Sequence, residues 1–359
     1  MAHTIRNAII AIAILFVISV IGFYLYFAFN PVIKESAGVT FLLKAGTSSN
    51  RVVDELTQEN IVAHPALVTL WIYLRGDAKQ LKIGEYFFPK GASFLTIWTQ
   101  MVSGTGRVYH PFTIIPGWSF AQLREAMQET QGLVHSTKNL NDAQLMQQLG
   151  YPELSPQGEF LPETYFYTYG ATDLSLYKQA FNLMQKRLAI AWSKRSLSIP
   201  FQTYQQVLTA ASLVEKEAYL NEERPVIAGV LVNRLNKHML LQFDPTVIFG
   251  LGVSYDGKLH KADLQKDTPY NTYVHKGLPP TPIAMPCIAS ILAVLHPQQH
   301  DYLYFVAKGD GSHYFSKTLQ EHNKAVKLAE VQKKQFFNAE QVQDYVQDVI
   351  AHQGNGVVM

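Results

Sequence analysis

Two glutamates in one stretch of the chain, Glu215 and Glu217, are the residues best placed for acid–base chemistry. The stretch, residues 210–218, completes a helical pattern that begins near Thr203. At about 100° per residue, Glu215 falls inside the apolar arc of that helix, and Glu217 lies about 200° further round. We therefore expect Glu215 to point into the protein and Glu217 to point away from it.

A carboxylate on the apolar face of a helix is unfavourable unless it is paired or protonated. Loss of water raises the pKa of such a group in general, which is what a general acid at neutral pH requires. The same position also suits a buried carboxylate in a structural ion pair, or one that reaches solvent at the helix end. The residues alone leave a catalytic and a structural role for Glu215 open.

The composition indicates a folded chain with two or three domains and excludes several kinds of site. The chain has 359 residues, of which 48% are hydrophobic, and a formal net charge of +2, so neither disorder nor a nucleic-acid partner is indicated. Cys287 is the single cysteine, which excludes an internal disulfide. Pro297 interrupts any helix shared by His296 and His300, and no P-loop or dinucleotide-binding pattern occurs. We therefore predict no metal and no cofactor.

The elements that position these residues begin with an uncharged stretch at residues 8–29. As a helix it would be about 33 Å long, enough to cross a hydrocarbon core of about 30 Å. Arg6 precedes it and aromatic residues close it, which is typical of a membrane anchor. We predict an uncleaved single-pass anchor, with residues 1–7 in the cytoplasm and the remainder outside the inner (cytoplasmic) membrane. A buried core helix is the alternative.

Residues 37–105 have the pattern of a small α+β module. Strand-like runs at 39–43 and 81–88 enclose helical patterns at 49–58 and 65–74, and a short helix follows at 93–101. The order is similar to that of LysM-like sugar-binding modules. A packing domain without a ligand fits the same residues.

Residues 106–335 carry the two glutamates and a long irregular stretch at 252–286. Proline restricts the backbone of the residue before it, so we place Asp244, which precedes Pro245, on a loop. The prolines of the irregular stretch indicate a stiff wall. Its tyrosines have faces that could pack on sugar rings, although a rigid structural connection is the alternative.

Several motifs, taken in order along the chain, resemble those of one family. They are Ala-Ser-Leu-Val-Glu-Lys-Glu around Glu215, Asn233-Arg234-Leu235, Leu241-Gln242-x-Asp244-Pro245-Thr246-Val247, Tyr270-Asn271-Thr272-Tyr273, Gly277-Leu278-Pro279-Pro280, His296-Pro297 and Tyr302-Leu303-Tyr304-Phe305-Val306. Over roughly residues 5 to 330 the chain resembles the MltG family of endolytic murein transglycosylases, the YceG-like proteins. The resemblance implies an α+β fold with an N-terminal transmembrane helix, a LysM-like module at 37–105 and an α+β catalytic domain at 106–335. It leaves a C-terminal extension at 336–359 unexplained.

The resemblance also implies a reaction, which is cleavage within peptidoglycan strands at the β-1,4 bond from N-acetylmuramic acid to N-acetylglucosamine. No water would add, and a 1,6-anhydro end would remain. The resemblance assigns the general acid and base to the first glutamate of Glu-Lys-Glu, Glu215. The residues expected to line the glycan groove are Gln242, Asp244, Thr246, Asn271, Tyr273 and, where many members have aspartate, Glu163.

The expected partners are therefore peptidoglycan strands, the membrane and the peptidoglycan synthases that polymerise nascent strands. Two other functions fit the same residues. One is a non-catalytic peptidoglycan-binding module in which Glu215 is a structural partner. The other is a hydrolysing muramidase, which would need a second carboxylate, and Asp244 is the best candidate. The chemical end group of the product distinguishes the three.

Overall fold

The computed structural model describes residues 2–332, which form two compact units. The first unit comprises the chain up to Phe112 together with 130–136 and 166–175, and the second comprises 113–129, 137–165 and the chain from 176 onward. The expected C-terminal extension at 336–359 lies outside the described residues. The fold is mixed α+β behind a long N-terminal apolar helix, as predicted.

The N-terminal helix, α1, extends from Ala2 to Phe29. Residues 3–22 of α1 are all exposed, so the alternative of a buried core helix does not hold. By length and composition α1 could cross a membrane, either as an anchor or as a signal sequence. Only its last turns are packed, where Phe27 is buried in the core of the first unit.

The first unit then follows the predicted order of elements. These are β1 (Val39–Leu43), α2 (Ser49–Gln58), α3 (Pro65–Arg75), β2 (Gly84–Phe88) and α4 (Phe94–Ser103). The two strands are antiparallel, with Phe41 opposite Tyr86. Ser48 and Ser93 cap α2 and α4, since each side chain accepts a hydrogen bond from a backbone N–H of the first turn. The likeness of this layout to LysM-like modules stays a prediction.

An aromatic core holds the first unit together. Phe27 of α1 lies 5.6 Å from Trp71 of α3 and 5.9 Å from Phe94 of α4, measured between ring centroids. Trp98 is fully buried, and its indole N–H donates to Asp77 Oδ1 at 2.7 Å, which satisfies its one polar group. The end of α1 is therefore part of this core.

The remaining elements follow in sequence. They are β3 (Tyr109–Thr113), α5 (Phe120–Glu129), α6 (Asp142–Leu149), β4 (Thr164–Thr168), α7 (Asp173–Ser193), α8 (Tyr204–Glu217), α9 (Arg224–Asn236), α10 (Asp244–Leu251), α11 (Ile288–Leu295), β5 (Tyr304–Ala307) and β6 (His313–Ser316), after which residues 319–332 are helical. β3 pairs with β4, and β5 forms an antiparallel hairpin with β6.

Three helices, α8, α9 and α11, pack together in the core of the second unit. A capping box opens α8, in which Thr203 and Gln206 satisfy each other's backbone N–H groups. All eight residues from Val207 to Val214 are buried, so α8 is covered on every side and not along a single stripe. Its last turn, which carries both glutamates, ends beside a cavity.

The expectation that Asp244 lies on a loop is wrong. Asp244 is the first residue of α10, and Pro245 occupies the first turn, where a helix has no use for the N–H that proline lacks. The change of direction comes two residues earlier, at Gln242, whose φ is +55°. Residues 252–286 are irregular apart from two short 3₁₀ turns, as predicted.

Candidate active site

Glu215 is held in a buried ion pair. Its carboxylate lies 3.1 Å from Arg224 Nη1, and the two side chains are 5% and 10% exposed. The carboxylate also accepts hydrogen bonds from the Ser290 hydroxyl at 2.8 Å and from the backbone N–H of Cys287 at 2.9 Å. These contacts supply the charge partner and the donors that a buried carboxylate needs.

The same contacts join three helices. Cys287 is the N-cap of α11, so the Glu215 carboxylate lies at the positive end of that helix. Arg224 at the start of α9 also donates to Asn221 Oδ1 at 3.0 Å and to the Ser290 hydroxyl. The arrangement corresponds to the structural role that the sequence left open for Glu215.

Glu217, the last residue of α8, lines a cavity of about 540 Å³. Burial raises the pKa of Glu217 to about 8, and the negative charge of Asp244 adds to this rise. Among residues 2–332, no hydrogen bond or ion pair fixes its carboxyl group. The raised pKa favours the protonated form of Glu217 at neutral pH. The expectation that Glu217 points away from the protein is wrong.

Asp244 and Tyr273 lie in the same cavity and are joined by a hydrogen bond. The Tyr273 hydroxyl donates to Asp244 Oδ1 at 2.5 Å. Burial raises the pKa of Tyr273, and so do its hydrogen bond to Asp244 and the charges of Asp244 and Glu217, so the phenol stays protonated. Asp244 is the first residue of α10, so its side chain lies at the N-terminus of that helix. The cavity thus combines a protonated carboxyl group with a carboxylate, the pattern by which active sites divide acid and base roles.

Arg234 also lines the cavity, although the sequence indicated it only as part of the motif Asn233-Arg234-Leu235 and not as a site residue. Its guanidinium donates to the carbonyls of Leu303 at 2.6 Å and Leu241 at 2.7 Å and to Gln242 Oε1 at 3.2 Å. It also lies over the ring of Tyr304, 5.2 Å from the centroid. The available signal was an arginine among the apolar residues of a helix, which must find acceptors when it is buried.

The hairpin β5–β6 and the helical residues Leu319, His322 and Asn323 also line the cavity. His313 lines the cavity and pairs with Glu223, whose carboxylate lies 2.6 Å from its Nδ1. His322 stacks on Tyr304 at 5.3 Å between centroids, and burial followed by the charge of Arg234 lowers the pKa of His322. No local sequence pattern indicated that His313 and His322 would lie at the site.

Thr246 and Asn271, two of the predicted groove residues, are buried and do not line the cavity. The Thr246 hydroxyl donates to the Phe243 carbonyl at 2.6 Å and shares a hydrogen bond of 2.9 Å with the Thr272 hydroxyl. The Asn271 amide donates to the Lys266 carbonyl at 2.8 Å. Both side chains use their polar groups to hold the backbone around the site.

Glu163 is exposed and is not among the residues that line the cavity. Its carboxylate accepts a hydrogen bond from the backbone N–H of Thr164 at 3.3 Å. Of the predicted residues, the structure therefore brings Gln242, Asp244 and Tyr273 together, and it adds Glu217 to them. This group can donate a proton to a leaving oxygen and stabilise positive charge in a substrate bound in the cavity.

Comparison with known proteins gives consistent matches. The sequence matches the profile of the YceG-like family over residues 41–328. It is 32% identical over 316 residues to an endolytic murein transglycosylase of Bacillus subtilis (strain 168), which covers 82% of this chain and 86% of that protein. An endolytic murein transglycosylase of Streptococcus pneumoniae is 26% identical over 320 residues, covering 80% of this chain and 58% of that protein. A crystal structure of a YceG-like protein from Listeria monocytogenes matches with a TM-score of 0.50 and 28% identity, over 81% of this chain and 99% of that one.

Proposed function

This chain belongs to the YceG-like family, and we propose that it is a lytic transglycosylase that cleaves peptidoglycan strands internally. The observation that carries the proposal is the cavity in which Glu217 keeps a proton beside the carboxylate of Asp244. The family match spans every residue that lines this cavity. The names of the relatives in Bacillus subtilis and Streptococcus pneumoniae support murein as the substrate.

In the proposed reaction, Glu217 first donates its proton to the glycosidic oxygen between N-acetylmuramic acid and N-acetylglucosamine. The bond from that oxygen to the anomeric carbon breaks, and positive charge develops on the muramic acid ring. The Glu217 carboxylate then takes the proton of the ring's own 6-hydroxyl, whose oxygen bonds to the anomeric carbon. The products are a 1,6-anhydro end and a free 4-hydroxyl, and Glu217 regains its proton without the consumption of water.

Asp244 has two parts in this reaction. Its charge adds to the effect of burial in favouring the protonated form of Glu217 before the bond breaks, and it stabilises the positive charge that develops at the anomeric carbon. Tyr273 orients the Asp244 carboxylate through its hydrogen bond. The buried pair of Glu215 with Arg224 fixes the last turn of α8, and thereby the position of Glu217. Glu215 is a positioning residue in this scheme, whereas the resemblance of the sequence assigns it the acid role.

Asp244 also favours a second candidate function, because it lies in the same cavity as Glu217. A carboxylate that held a water molecule against the anomeric carbon would make the enzyme a hydrolysing muramidase. Its products would carry reducing N-acetylmuramic acid ends in place of anhydro ends.

We further propose that α1 is an uncleaved anchor in the inner (cytoplasmic) membrane and that both units lie on its periplasmic or extracytoplasmic side. The length and apolar composition of α1 support a span. The burial of Phe27 in the core of the first unit argues against removal of α1 as a signal sequence, since cleavage after it would take away a core residue. Such an anchor would hold the enzyme near nascent strands and the synthases that make them.

The decisive experiment compares the full-length protein in detergent with its Glu217→Gln and Glu215→Gln variants on purified peptidoglycan. Released fragments are identified by mass spectrometry, and folding is checked by circular dichroism. We expect internal fragments with anhydro ends from the wild type and a rate about 10²- to 10⁴-fold lower for Glu217→Gln. Glu215→Gln should reduce thermal stability and leave part of the activity.

The other outcomes are distinct. A folded Glu215→Gln variant without activity, together with an active Glu217→Gln variant, would reverse the assignment of the acid. Reducing ends from the wild type would establish hydrolysis. Binding without cleavage by the wild type would make the protein a peptidoglycan-binding module.

A further inference from the structure

The third helix of the first unit is apolar on its exposed side as well as on its buried side. Val68, Trp71 and Ile72 of α3 face the core. The exposed side carries Leu67, Leu70, Tyr73 and Leu74, which are 44%, 48%, 80% and 68% exposed. At about 100° per residue these four side chains fall within an arc of about 120°, and we call them the α3 face.

The α3 face has few groups that a polar ligand could use. Between Pro65 and Leu74 the helix contains no charged residue, and Thr69 is its only hydroxyl besides that of Tyr73. Contiguous apolar surface of this kind is unusual on a protein that is surrounded by water, and it marks a site that contacts another apolar phase.

The position of α3 beside α1 favours the membrane as the apolar phase that the α3 face contacts. Trp71 on its buried side contacts Phe27, which lies two residues before the end of α1. Tyr24, Tyr26 and Phe29, the exposed aromatic residues around Phe27, are those that mark the headgroup level when a helix crosses a bilayer. Trp71 contacts Phe27 at that level, so α3 lies beside the end of α1 and close to the expected membrane surface.

We propose that the α3 face inserts into the headgroup and outer acyl region of the membrane that α1 crosses. The proposal rests on the membrane anchoring proposed for α1, and it gives the first unit two contacts with the bilayer, one spanning and one interfacial. Interfacial helices have this arrangement, with leucine and aromatic side chains toward the acyl chains and cations near the headgroups. The exposed Lys34 and Lys79 lie in the segments that follow α1 and α3 and supply such cations.

The test measures the depth of single labels in the full-length protein, reconstituted in vesicles of phosphatidylethanolamine and phosphatidylglycerol. In a Cys287→Ser background, Leu70→Cys, Ile14→Cys and Leu197→Cys each carry an environment-sensitive fluorophore. Ile14 lies within α1 and reports the span, and Leu197 is an exposed leucine of the second unit that serves as the matched control. Quenching by nitroxide lipids and by a water-soluble quencher is compared for the three labels.

We expect the Leu70 label to be quenched by nitroxides at headgroup depth and protected several-fold from the aqueous quencher relative to Leu197. The Ile14 label should be quenched by nitroxides deep in the acyl region. If Ile14 is deep and Leu70 is as accessible to water as Leu197, the proposal for α3 fails and the anchor stands. If Ile14 is also accessible to water, the anchor itself fails.

In a third possible result, the Leu70 label is shielded from the aqueous quencher but is not quenched by any nitroxide lipid. This result would overturn the proposal in favour of a protein partner at the α3 face. None of these readouts depends on the cleavage reaction. The proposal for α3 can therefore fail while the proposed activity holds, and the reverse also applies.

Discussion

Glu215 and Glu217 lie two residues apart on α8, and their carboxyl groups have neighbours of opposite charge. Glu215 lies 3.1 Å from the guanidinium of Arg224, whereas Glu217 lies near enough to the Asp244 carboxylate for that charge to raise its pKa. The last turn of the helix thus presents one carboxyl group to the core as an ion-pair partner and the other to the cavity as a proton donor.

The rate of cleavage should fall as the pH rises through about 8. Glu217 acts as an acid only while protonated, and its pKa is raised to about 8 by burial and by Asp244. In Asp244→Asn the negative charge is gone, so the pKa of Glu217 and the alkaline limb of the profile should both move to lower pH. The measurement is the initial rate of fragment release between pH 5 and 10. If the alkaline limb of the Asp244→Asn profile lies at the same pH as that of the wild type, the charge of Asp244 does not raise the pKa of Glu217.

Relative to the wild type, Glu217→Gln should stabilise the protein, and this stability difference should be larger at pH 9 than at pH 5. The pKa of Glu217 is higher in the folded protein than its ordinary value of 4.5, so the folded state binds this proton more tightly. The contribution of this proton to the stability of the wild type is present in full below pH 4.5 and is lost as the pH rises through about 8. Because one pKa unit corresponds to about 1.4 kcal/mol, the difference should amount to a few kcal/mol at most.

The test of this prediction is denaturant unfolding of wild type and variant at both pH values. The exposed Glu222→Gln, made in the turn that follows α8, serves as the matched control. Equal stability of wild type and Glu217→Gln at both pH values would show that Glu217 is not desolvated in the folded protein.

Tyr273→Phe should lower the cleavage rate about ten-fold without unfolding the protein. The variant loses the hydroxyl that donates to Asp244 at 2.5 Å, and a hydrogen bond to a charged group contributes about 1.5–3 kcal/mol. Tyr270→Phe is the matched control, since the Tyr270 hydroxyl bonds Thr281 at 3.0 Å and Tyr270 does not line the cavity. Similar kinetic losses in both variants would argue against a specific role for the Tyr273–Asp244 pair.

Thr246→Val should destabilise the protein by about 1–3 kcal/mol and leave substrate affinity nearly unchanged. Its hydroxyl is buried, donates to the Phe243 carbonyl and shares a hydrogen bond with the Thr272 hydroxyl, and valine removes both of these bonds. Denaturant unfolding measures the first effect, and KM on soluble glycan strands measures the second. A large rise in KM with unchanged stability would restore Thr246 to the glycan groove, where the sequence had placed it.

Local signals predicted the elements that carry the site. The apolar patterns at 49–58, 65–74 and 93–101, and the one that begins near Thr203, predicted helices that the structure contains. The helical wheel misplaced Glu217 because it assumes one buried and one solvated face. With Val207–Val214 buried all round, α8 has no solvated face in its middle, and its last turn borders a cavity.

Long-range contacts account for the rest of what the sequence did not predict. Arg234 and His313 come to the cavity from α9 and β6, and no local pattern states that these segments meet. The polar groups of Asn271 match those of a sugar-binding residue equally well, but they are taken up by the backbone of their own loop. Residue type alone does not tell an asparagine that binds a ligand from one that holds a loop.

The burial of Phe27 in the core of the first unit has a consequence for the proposed membrane anchoring. Two backbone hydrogen bonds hold the segment that follows α1. The Val32 N–H donates to the Ala92 carbonyl at 2.9 Å, and the Gly91 N–H donates to the Ile33 carbonyl at 2.9 Å. With α1 as the proposed anchor, these bonds and the burial of Phe27 tie the first unit to the end of the membrane helix. An insertion between Phe29 and Val32 would therefore disrupt the core of the first unit before it moved that unit away from the bilayer.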